Sequence, residues 1–220
     1  MPEKYSLREK KSAKTKIALM REFIKRLEHT RFEDISIRQV CASVEVSEGT
    51  FFNYFPKKIE IVYFCMQLHA VKVVWTAYDK VKTNKSYDLI CRAFQVLFEE
   101  FNNPYLVYEM ISSLIKEKED PHEFKISNAE KYYAYPELKG IEEIISPGDC
   151  LDLFFKECLQ KAIINKELPK SIDINNVCVA LKTIMVGTPM AVKFKNFHTS
   201  SEQMARQLKT LWIGLGGNLK

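Results

Sequence analysis

Apolar residues recur along this chain at the three-to-four-residue spacing of amphipathic helices, and no segment shows the alternation expected of a strand. In residues 12–28, Ala13, Ile17, Met20, Ile24 and Leu27 recur at steps of four and three residues. The pattern predicts long helices at residues 57 onward, 87–101, 105–118, 150–165, 173–197 and 200–214. The stretch 120–147 has no clear period and is predicted to be irregular. The chain is therefore expected to be all-α, with nine or ten helices.

Two short helices are predicted between residues 36 and 54 from their capping residues. Ser36 precedes the first, with Gln39 three residues later in a capping-box pattern. Ser47 precedes the second, residues 48–54, which Pro56 ends. Two capped helices around a tight turn are typical of a helix-turn-helix, whose second helix fits the major groove of DNA. The alternative is a helical pair used only for packing or protein contact.

The charge is concentrated near the N-terminus. Residues 1–26 carry nine basic and three acidic side chains, a net charge of +6, whereas the whole chain has +5. A basic segment followed by a nearly neutral body suggests a polyanion as partner, and a solvated charge run is the alternative.

Several function classes find no support in the sequence. The N-terminus does not resemble a secretory signal, and no apolar run is long enough to span a membrane. The four histidines and six cysteines lack the spacing of metal sites or nucleophilic catalysis, and no phosphate-binding motif is present. We therefore expect a cytoplasmic protein that is not an enzyme and has no cofactor or metal. A protein-binding adaptor and a redox-sensing regulator that uses a cysteine remain open.

The runs RFEDISIRQVC at 31–41 and VSEGTFFNYFPKK at 46–58 resemble the DNA-binding segment of the TetR family of transcription regulators. The likeness extends over about 45 residues in fixed register from the first helix onward. It implies an N-terminal three-helix helix-turn-helix domain, residues 1–57, and a C-terminal helical ligand-binding and dimerisation domain, residues 58–220. The positions that the resemblance assigns to double-stranded operator DNA are Ser36, Arg38, Ser47, Glu48, Thr50, Phe52, Asn53, Tyr54, Lys57 and Lys58.

The sequence departs from the family pattern at informative positions. Glu45 stands at the turn glycine and must either adopt an unusual backbone angle or reshape the turn. Arg31 replaces the glycine after the first helix, and Phe52 replaces a common tyrosine, which removes a hydroxyl. Glu48 replaces a frequent basic residue; its carboxylate could accept from cytosine N4 or simply repel phosphates.

The resemblance also implies a homodimer that a small molecule releases from DNA. It further implies that the regulator is a repressor rather than an activator. An apolar or aromatic effector is expected, and the candidate pocket residues are Trp75, Phe98, Met110 and Tyr133. The helices at 150–165 and 200–214 resemble the family's dimer-forming pair. Their candidate contacts are Phe154, Phe155, Leu159, Leu208, Leu211 and Trp212.

Overall fold

The computed structural model describes residues 5–80, 85–100, 103–118, 125–145, 150–192 and 199–218. Over these residues the chain is all-α, as predicted. The helices are α1 Leu7–Leu27, α2 Ile37–Ser43, α3 Glu48–Tyr54, α4 Glu60–Lys80, α5 Ser86–Glu100, α6 Pro104–Lys116, α7 Asn128–Ala134, α8 Cys150–Ile164, α9 Ile174–Ala191 and α10 Ser200–Gly214, with short 3₁₀ turns at Phe32–Asp34 and Ile141–Glu143. Within the described ranges, no helix combines the length and apolar character needed to cross a bilayer.

The helices gather into two compact units. Unit 1 comprises Met1–Lys72 and Tyr105–Gly148, and unit 2 comprises Val73–Pro104 and Asp149–Lys220. These units do not follow the predicted boundary at residues 57 and 58, because α6 and α7 join α1–α3 in unit 1. The division of function at that boundary stays a prediction.

Helix α1 begins earlier than its apolar pattern predicts. The Ser6 hydroxyl accepts from the Glu9 N–H, and the Glu9 carboxylate accepts from the Ser6 N–H at 2.9 Å, which completes a capping box. The Ser6 hydroxyl also donates to the Glu9 carboxylate at 2.6 Å, and this bond, together with the one from the Ser6 N–H, lowers the pKa of Glu9 from its ordinary value. The cap adds a polar first turn before the buried stripe that begins at Ala13.

Helix α7 lies within the stretch predicted to be irregular, so that prediction is wrong there. Its N-terminus is a second capping box, in which Ser127 accepts from the Glu130 N–H and Glu130 accepts from the Ser127 N–H at 2.7 Å. The helix packs along α1, and Ala129 and Ala134 are buried. A helix of seven residues is too short to show a period, which explains why the apolar pattern missed it.

In unit 2, α8 packs against α5 and α9, and α10 packs against α5 and α9. The rings of Phe94 and Phe155 lie 5.8 Å apart, and those of Tyr87 and Trp212 lie 5.2 Å apart. The predicted cap at Asp173 is confirmed, because its carboxylate accepts from two backbone N–H groups of α9. The predicted cap of α10 at Ser200 or Ser201 is wrong.

The N-cap of α10 is Thr199, and Ser200 is already helical. Helix α9 ends at Ala191 rather than at 197, and residues 193–198 lie outside the described residues. The predicted cap of α8 at Asp149 also lies outside them.

Candidate nucleic-acid interface

The two short helices predicted from their caps are present, and α3 has the predicted bounds. Ser47 accepts from the Thr50 N–H at 3.1 Å, and Ser36 accepts from the Gln39 N–H at 3.4 Å. The Gln39 side chain instead accepts from Arg26, so its predicted capping role is not the one it performs. Helices α2 and α3 pack together around a turn of four residues, which makes a helix-turn-helix.

The turn between α2 and α3 is closed by backbone hydrogen bonds. The Val46 N–H donates to the Cys41 carbonyl at 3.0 Å and the Glu45 N–H donates to the Ala42 carbonyl at 3.3 Å. This is a Schellman motif, whose left-handed position is normally glycine. Here Glu45 occupies it with φ of 59°, so the chain adopts the unusual backbone angle rather than a different turn.

The inner side of α3 is anchored in an aromatic cluster. Phe51 and Phe55 are fully buried, and their rings lie 5.5 Å apart. Phe64 of α4, also fully buried, lies 5.5 Å from Phe55. Since a filled aromatic core resists rotation of the helix, the outward residues of α3 keep a fixed direction.

The opposite side of α3 faces solvent and carries most of the predicted DNA contacts. The side chains of Ser47, Glu48, Phe52 and Asn53 are exposed, and those of Thr50 and Tyr54 are half-buried. Ser47 Oγ and Thr50 Oγ1 lie 2.9 Å apart and hydrogen-bond to each other. The exposed surface therefore has a carboxylate, an amide and an aromatic ring as its prominent groups.

The predicted DNA contacts outside α3 differ in exposure and in the internal bonds that they already make. Arg38 is exposed on α2, while Ser36 and Lys57 are half-buried. The Lys58 ammonium donates to the Glu33 carbonyl at 3.1 Å and lies 4.8 Å from the ring centroid of Phe32. Its burial lowers the pKa of Lys58, although the nearby carboxylates oppose that change. A phosphate contact by Lys58 would compete with this internal bond.

Arg26 fixes α1 to the helix-turn-helix. Its guanidinium pairs with Glu22 at 2.8 Å and donates to Gln39 Oε1 at 3.3 Å and Ser43 Oγ at 3.0 Å. One planar group with several donors thus joins α1 to two points on α2. Sequence reasoning counted Arg26 only as part of the basic segment.

Helix α6 holds the turn that precedes α2. The Glu109 carboxylate is buried and accepts from the Phe32 N–H at 2.9 Å. Lys116 pairs with Glu33 at 2.5 Å, which lowers the pKa of Glu33 and raises the pKa of Lys116. Neither link could be found in the sequence, because the partners lie 77 and 83 residues apart.

The basic segment is partly used inside unit 1. Lys16 pairs with Glu130 of α7 at 2.5 Å and lies 4.4 Å from the ring centroid of Phe64. Arg21 donates to the Ala134 carbonyl at 2.7 Å. The side chains of Arg8, Lys11 and Lys25 on α1 are exposed. Because Lys16 and Arg21 bond within the unit, fewer basic side chains remain for a polyanion than the sequence of this segment contains.

The four pocket candidates fall in different units. Met110 and Tyr133 belong to unit 1, and Trp75 and Phe98 belong to unit 2. Tyr133 packs against Tyr5 and Tyr132, with ring centroids 6.2 and 5.2 Å away. The effector pocket stays a prediction.

Most of the dimer candidates have almost no accessible surface in the single chain, and the dimer contacts stay a prediction. Phe155 and Leu159 are fully buried within the single chain, and Phe154, Leu208 and Trp212 are at most 4% exposed. A side chain without accessible surface in one chain has none to cover with a second. Leu211 is half-buried. The apolar pattern of α8 and α10 is the pattern of helices packed in their own core.

Other apolar residues of unit 2 are exposed, among them Ile164 at the end of α8. Val179, Val186 and Met190 on α9 and Ile213 on α10 are between 39% and 57% exposed. The three α9 positions are spaced by seven and four residues, so they share one face of that helix. A Cβ at Gly187 would meet no heavy atom of another part of the chain within 4 Å, so the surface beside them is open.

The cysteines give no support to redox sensing. All six are free thiols, and only Cys91 is not buried. Burial raises the pKa of Cys65 and of Cys158 to about 12 and raises that of Cys41. A thiol in such surroundings forms little of the reactive thiolate. Among the described residues, no group of three or more potential ligands is arranged to hold a metal.

Neither a family model nor a curated protein sequence matches the chain. Solved structures do match over nearly the whole length. A protein from Rhodococcus sp. described as a TetR-family transcriptional regulator gives a TM-score of 0.61 at 10% identity, covering 90% of this chain and 98% of that chain.

The chain has the TetR-family fold. A TetR transcriptional regulator from Rhodococcus sp. RHA1 gives a TM-score of 0.54 at 14% identity over 92% of this chain and 98% of its own. A protein from Shewanella sp. PV-4, described as a regulator of the same family, gives 0.56 at 12% identity over 91% and 97%. The helix-turn-helix of α2 and α3 thus stands within the TetR-family fold.

Proposed function

We propose that this protein is a transcription regulator, in the simplest case a repressor, that binds a near-palindromic DNA operator as a homodimer. A small apolar or aromatic effector releases it from the operator. The observation that carries the proposal is the helix-turn-helix itself. Its second helix is held by the fully buried Phe51 and, at its C-cap, Phe55, and its exposed face carries Glu48, Phe52 and Asn53.

The exposed face of α3 suits base edges better than it suits phosphates. It carries an amide that can both accept from adenine N6 and donate to adenine N7, and a carboxylate that can accept from cytosine N4. Cations that can neutralise phosphates flank it, with Arg38 exposed on α2 and Lys25 exposed on α1. Separating positioning contacts from base contacts in this way is typical of specific DNA binding.

The dimer is proposed to form through α9 and α10 rather than through the residues named from the sequence. Val179, Val186, Met190 and Ile213 present an apolar surface that a second copy would cover. A stable interface needs about 800 Å² from each partner, so polar neighbours on both helices would contribute as well. Two copies related by a two-fold axis would read two half-sites about 34–36 Å apart.

Release by the effector follows from linkage. A ligand that binds more tightly to the conformer unable to engage DNA weakens DNA binding. Bound DNA must in turn weaken the binding of that ligand by the same factor. The links from α6 to the turn before α2, Glu109 to Phe32 and Lys116 to Glu33, are contacts that such a conformer would have to alter.

The test is binding of the purified protein to the DNA upstream of its own gene, by fluorescence anisotropy at two salt concentrations. Specific binding should exceed binding to random DNA, and affinity should fall steeply as salt rises. If the operator lies elsewhere, selection from a random DNA library supplies it. A protein-binding adaptor would enrich no sequence from the library, and that outcome would refute the proposal.

A matched pair of variants locates the interface. Asn53→Ala on α3 should lower the preference for operator over random DNA by roughly tenfold, the usual scale for one base contact. Asn165→Ala removes an exposed amide that follows α8, outside α3, α9 and α10, and should leave that preference unchanged. Equal behaviour of the two variants would contradict the assignment of α3 as the recognition helix.

A further inference from the structure

Phe52 is an aromatic residue on the exposed face of α3, which also carries Glu48 and Asn53. Its side chain is 45% exposed, while the neighbouring Phe51 is fully buried. The two rings lie 5.3 Å apart in an edge-to-face arrangement with an interplanar angle of 79°. Phe52 is therefore supported from beneath by the core and still presents much of its ring to the outside.

Few other side chains on this face of α3 can contact a base. The hydroxyls of Ser47 and Thr50 bond to each other, and Ser47 also caps the helix. Gly49 has no side chain, and a Cβ there would meet only the Ser47 hydroxyl at 3.7 Å. Glu48 lies one turn before Phe52 on the same face, and Asn53 lies beside it.

The chemistry of a phenyl ring restricts what it can recognise in DNA. It has no donor for a phosphate oxygen and no acceptor for a base amino group. In the major groove, the apolar group that a base pair presents is the C5-methyl of thymine. Where the tyrosine common at this position could bind a phosphate through its hydroxyl, Phe52 cannot.

We propose that Phe52 is a specificity-determining residue that reads the C5-methyl group of a thymine in each half-site of the operator. This inference rests on the proposed function, since it concerns the same surface. The Phe51 ring beneath Phe52 fixes the direction of the contact, and the absent side chain at Gly49 lets the helix approach the groove. Each half-site should accordingly contain one thymine whose methyl group matters.

The experiment uses the operator obtained by selection and replaces each thymine in turn by deoxyuridine, which removes only the methyl group. At one thymine in each half-site the natural protein should lose about fourfold in affinity, the value expected for one buried methyl group. Phe52→Ala should bind the thymine and deoxyuridine operators equally well. Phe52→Leu, which retains an apolar side chain, should recover part of the preference.

Asn53→Ala serves as the control, because it alters a neighbouring base contact and should retain the full response to deoxyuridine. The inference is overturned if no thymine responds, or if Phe52→Ala responds as strongly as the natural protein. Failure of the selection to enrich any sequence would refute the proposed function as well. Enrichment without a methyl effect would refute only the reading by Phe52.

Discussion

Helices α3 and α9 both expose part of their surface, but they do so with different chemistry. The outer face of α3 has a carboxylate, an amide and one aromatic ring, while that of α9 has Val179, Val186 and Met190. Both helices are anchored by a buried opposite side, which contains Phe51 in α3 and Leu181 in α9. The anchored side thus does not distinguish them.

The difference lies in which partner each outer face can satisfy. Polar groups remain hydrated until a partner offers matching donors and acceptors, as the base edges of DNA do. An aliphatic face gains mainly by removal from water, and it gains most against a surface of its own kind. Unit 1 is accordingly suited to a polar partner and unit 2 to a second copy of the chain.

The largest expected effect comes from making the α9 face polar. The double variant Val186→Glu, Met190→Glu should remain helical, because glutamate is a good helix former, but should disfavour self-association. Operator affinity should then fall by roughly 100-fold, since two linked half-site contacts become one. Sedimentation velocity would measure the assembly, and fluorescence anisotropy the affinity.

Ile115→Glu provides the matched control. Ile115 is 69% exposed on α6 in unit 1, so the substitution places one negative charge, against two in the α9 variant, at an exposed apolar site on another helix. It should alter neither assembly nor affinity. Dimers that persist in the α9 double variant would show that the self-association face lies elsewhere.

Acid should weaken unit 1 through His69. Burial, and then the charge of Lys72, lower the pKa of His69 from 6.5 to about 3. Between those values the unfolded chain binds a proton that the folded chain does not, so stability is complete above pH 6.5 and is lost as the pH falls towards 3. The loss should be about 2 kcal/mol at pH 5.

Urea unfolding of His69→Gln at pH 7 and pH 5 measures this contribution. The variant should be less stable at pH 7, where it disrupts the packing, but should lose less stability on acidification. His29→Gln, at a histidine side chain that is 78% exposed, should keep the acid response of the natural protein. Identical acid responses of all three proteins would contradict the assignment to His69.

Glu48→Gln distinguishes two roles for the carboxylate on α3. If the carboxylate accepts from a cytosine, the variant should lose roughly tenfold in preference for that cytosine, within the range for one base contact. If it only repels phosphates, the variant should bind every DNA more tightly with unchanged discrimination. We expect the first result, and selection with each protein from one random library would measure it.

The smallest expected effect concerns the backbone of the two units. Glu45 in unit 1 and Lys166 in unit 2 have φ of 59° and 60°. Replacing either by glycine should raise the free energy of unfolding by up to about 1 kcal/mol, because glycine tolerates this conformation. Thermal unfolding would measure the gain. Lys170→Gly, at a residue without positive φ, should lower stability.

Local chemistry made part of this fold predictable from the sequence. The cap at Ser47 and the break at Pro56 gave the bounds of α3, and Asp173 gave the start of α9. The patterns Ser6 to Glu9 and Ser127 to Glu130 are the same kind of signal. They would have located the starts of α1 and α7 if capping boxes had been sought outside the apolar segments.

The remaining features depend on contacts that a sequence pattern does not contain. Periodicity identifies the apolar face of a helix but not whether that face meets its own core or a second chain. For this reason the sequence predicts Phe155 and Leu159 as dimer contacts, whereas both are fully buried within the single chain. The bond from Phe32 to Glu109 joins residues 77 positions apart, and only the folded chain brings them together.

The division of the chain into two units has a consequence for spectroscopy. The sequence has two tryptophans, Trp75 and Trp212, and both belong to unit 2. Intrinsic tryptophan emission of the natural protein therefore reports on unit 2 alone, whereas far-ultraviolet circular dichroism reports on the helices of both units. Denaturation curves from the two signals coincide only if the units unfold together, so any separation between them measures how independently unit 1 unfolds.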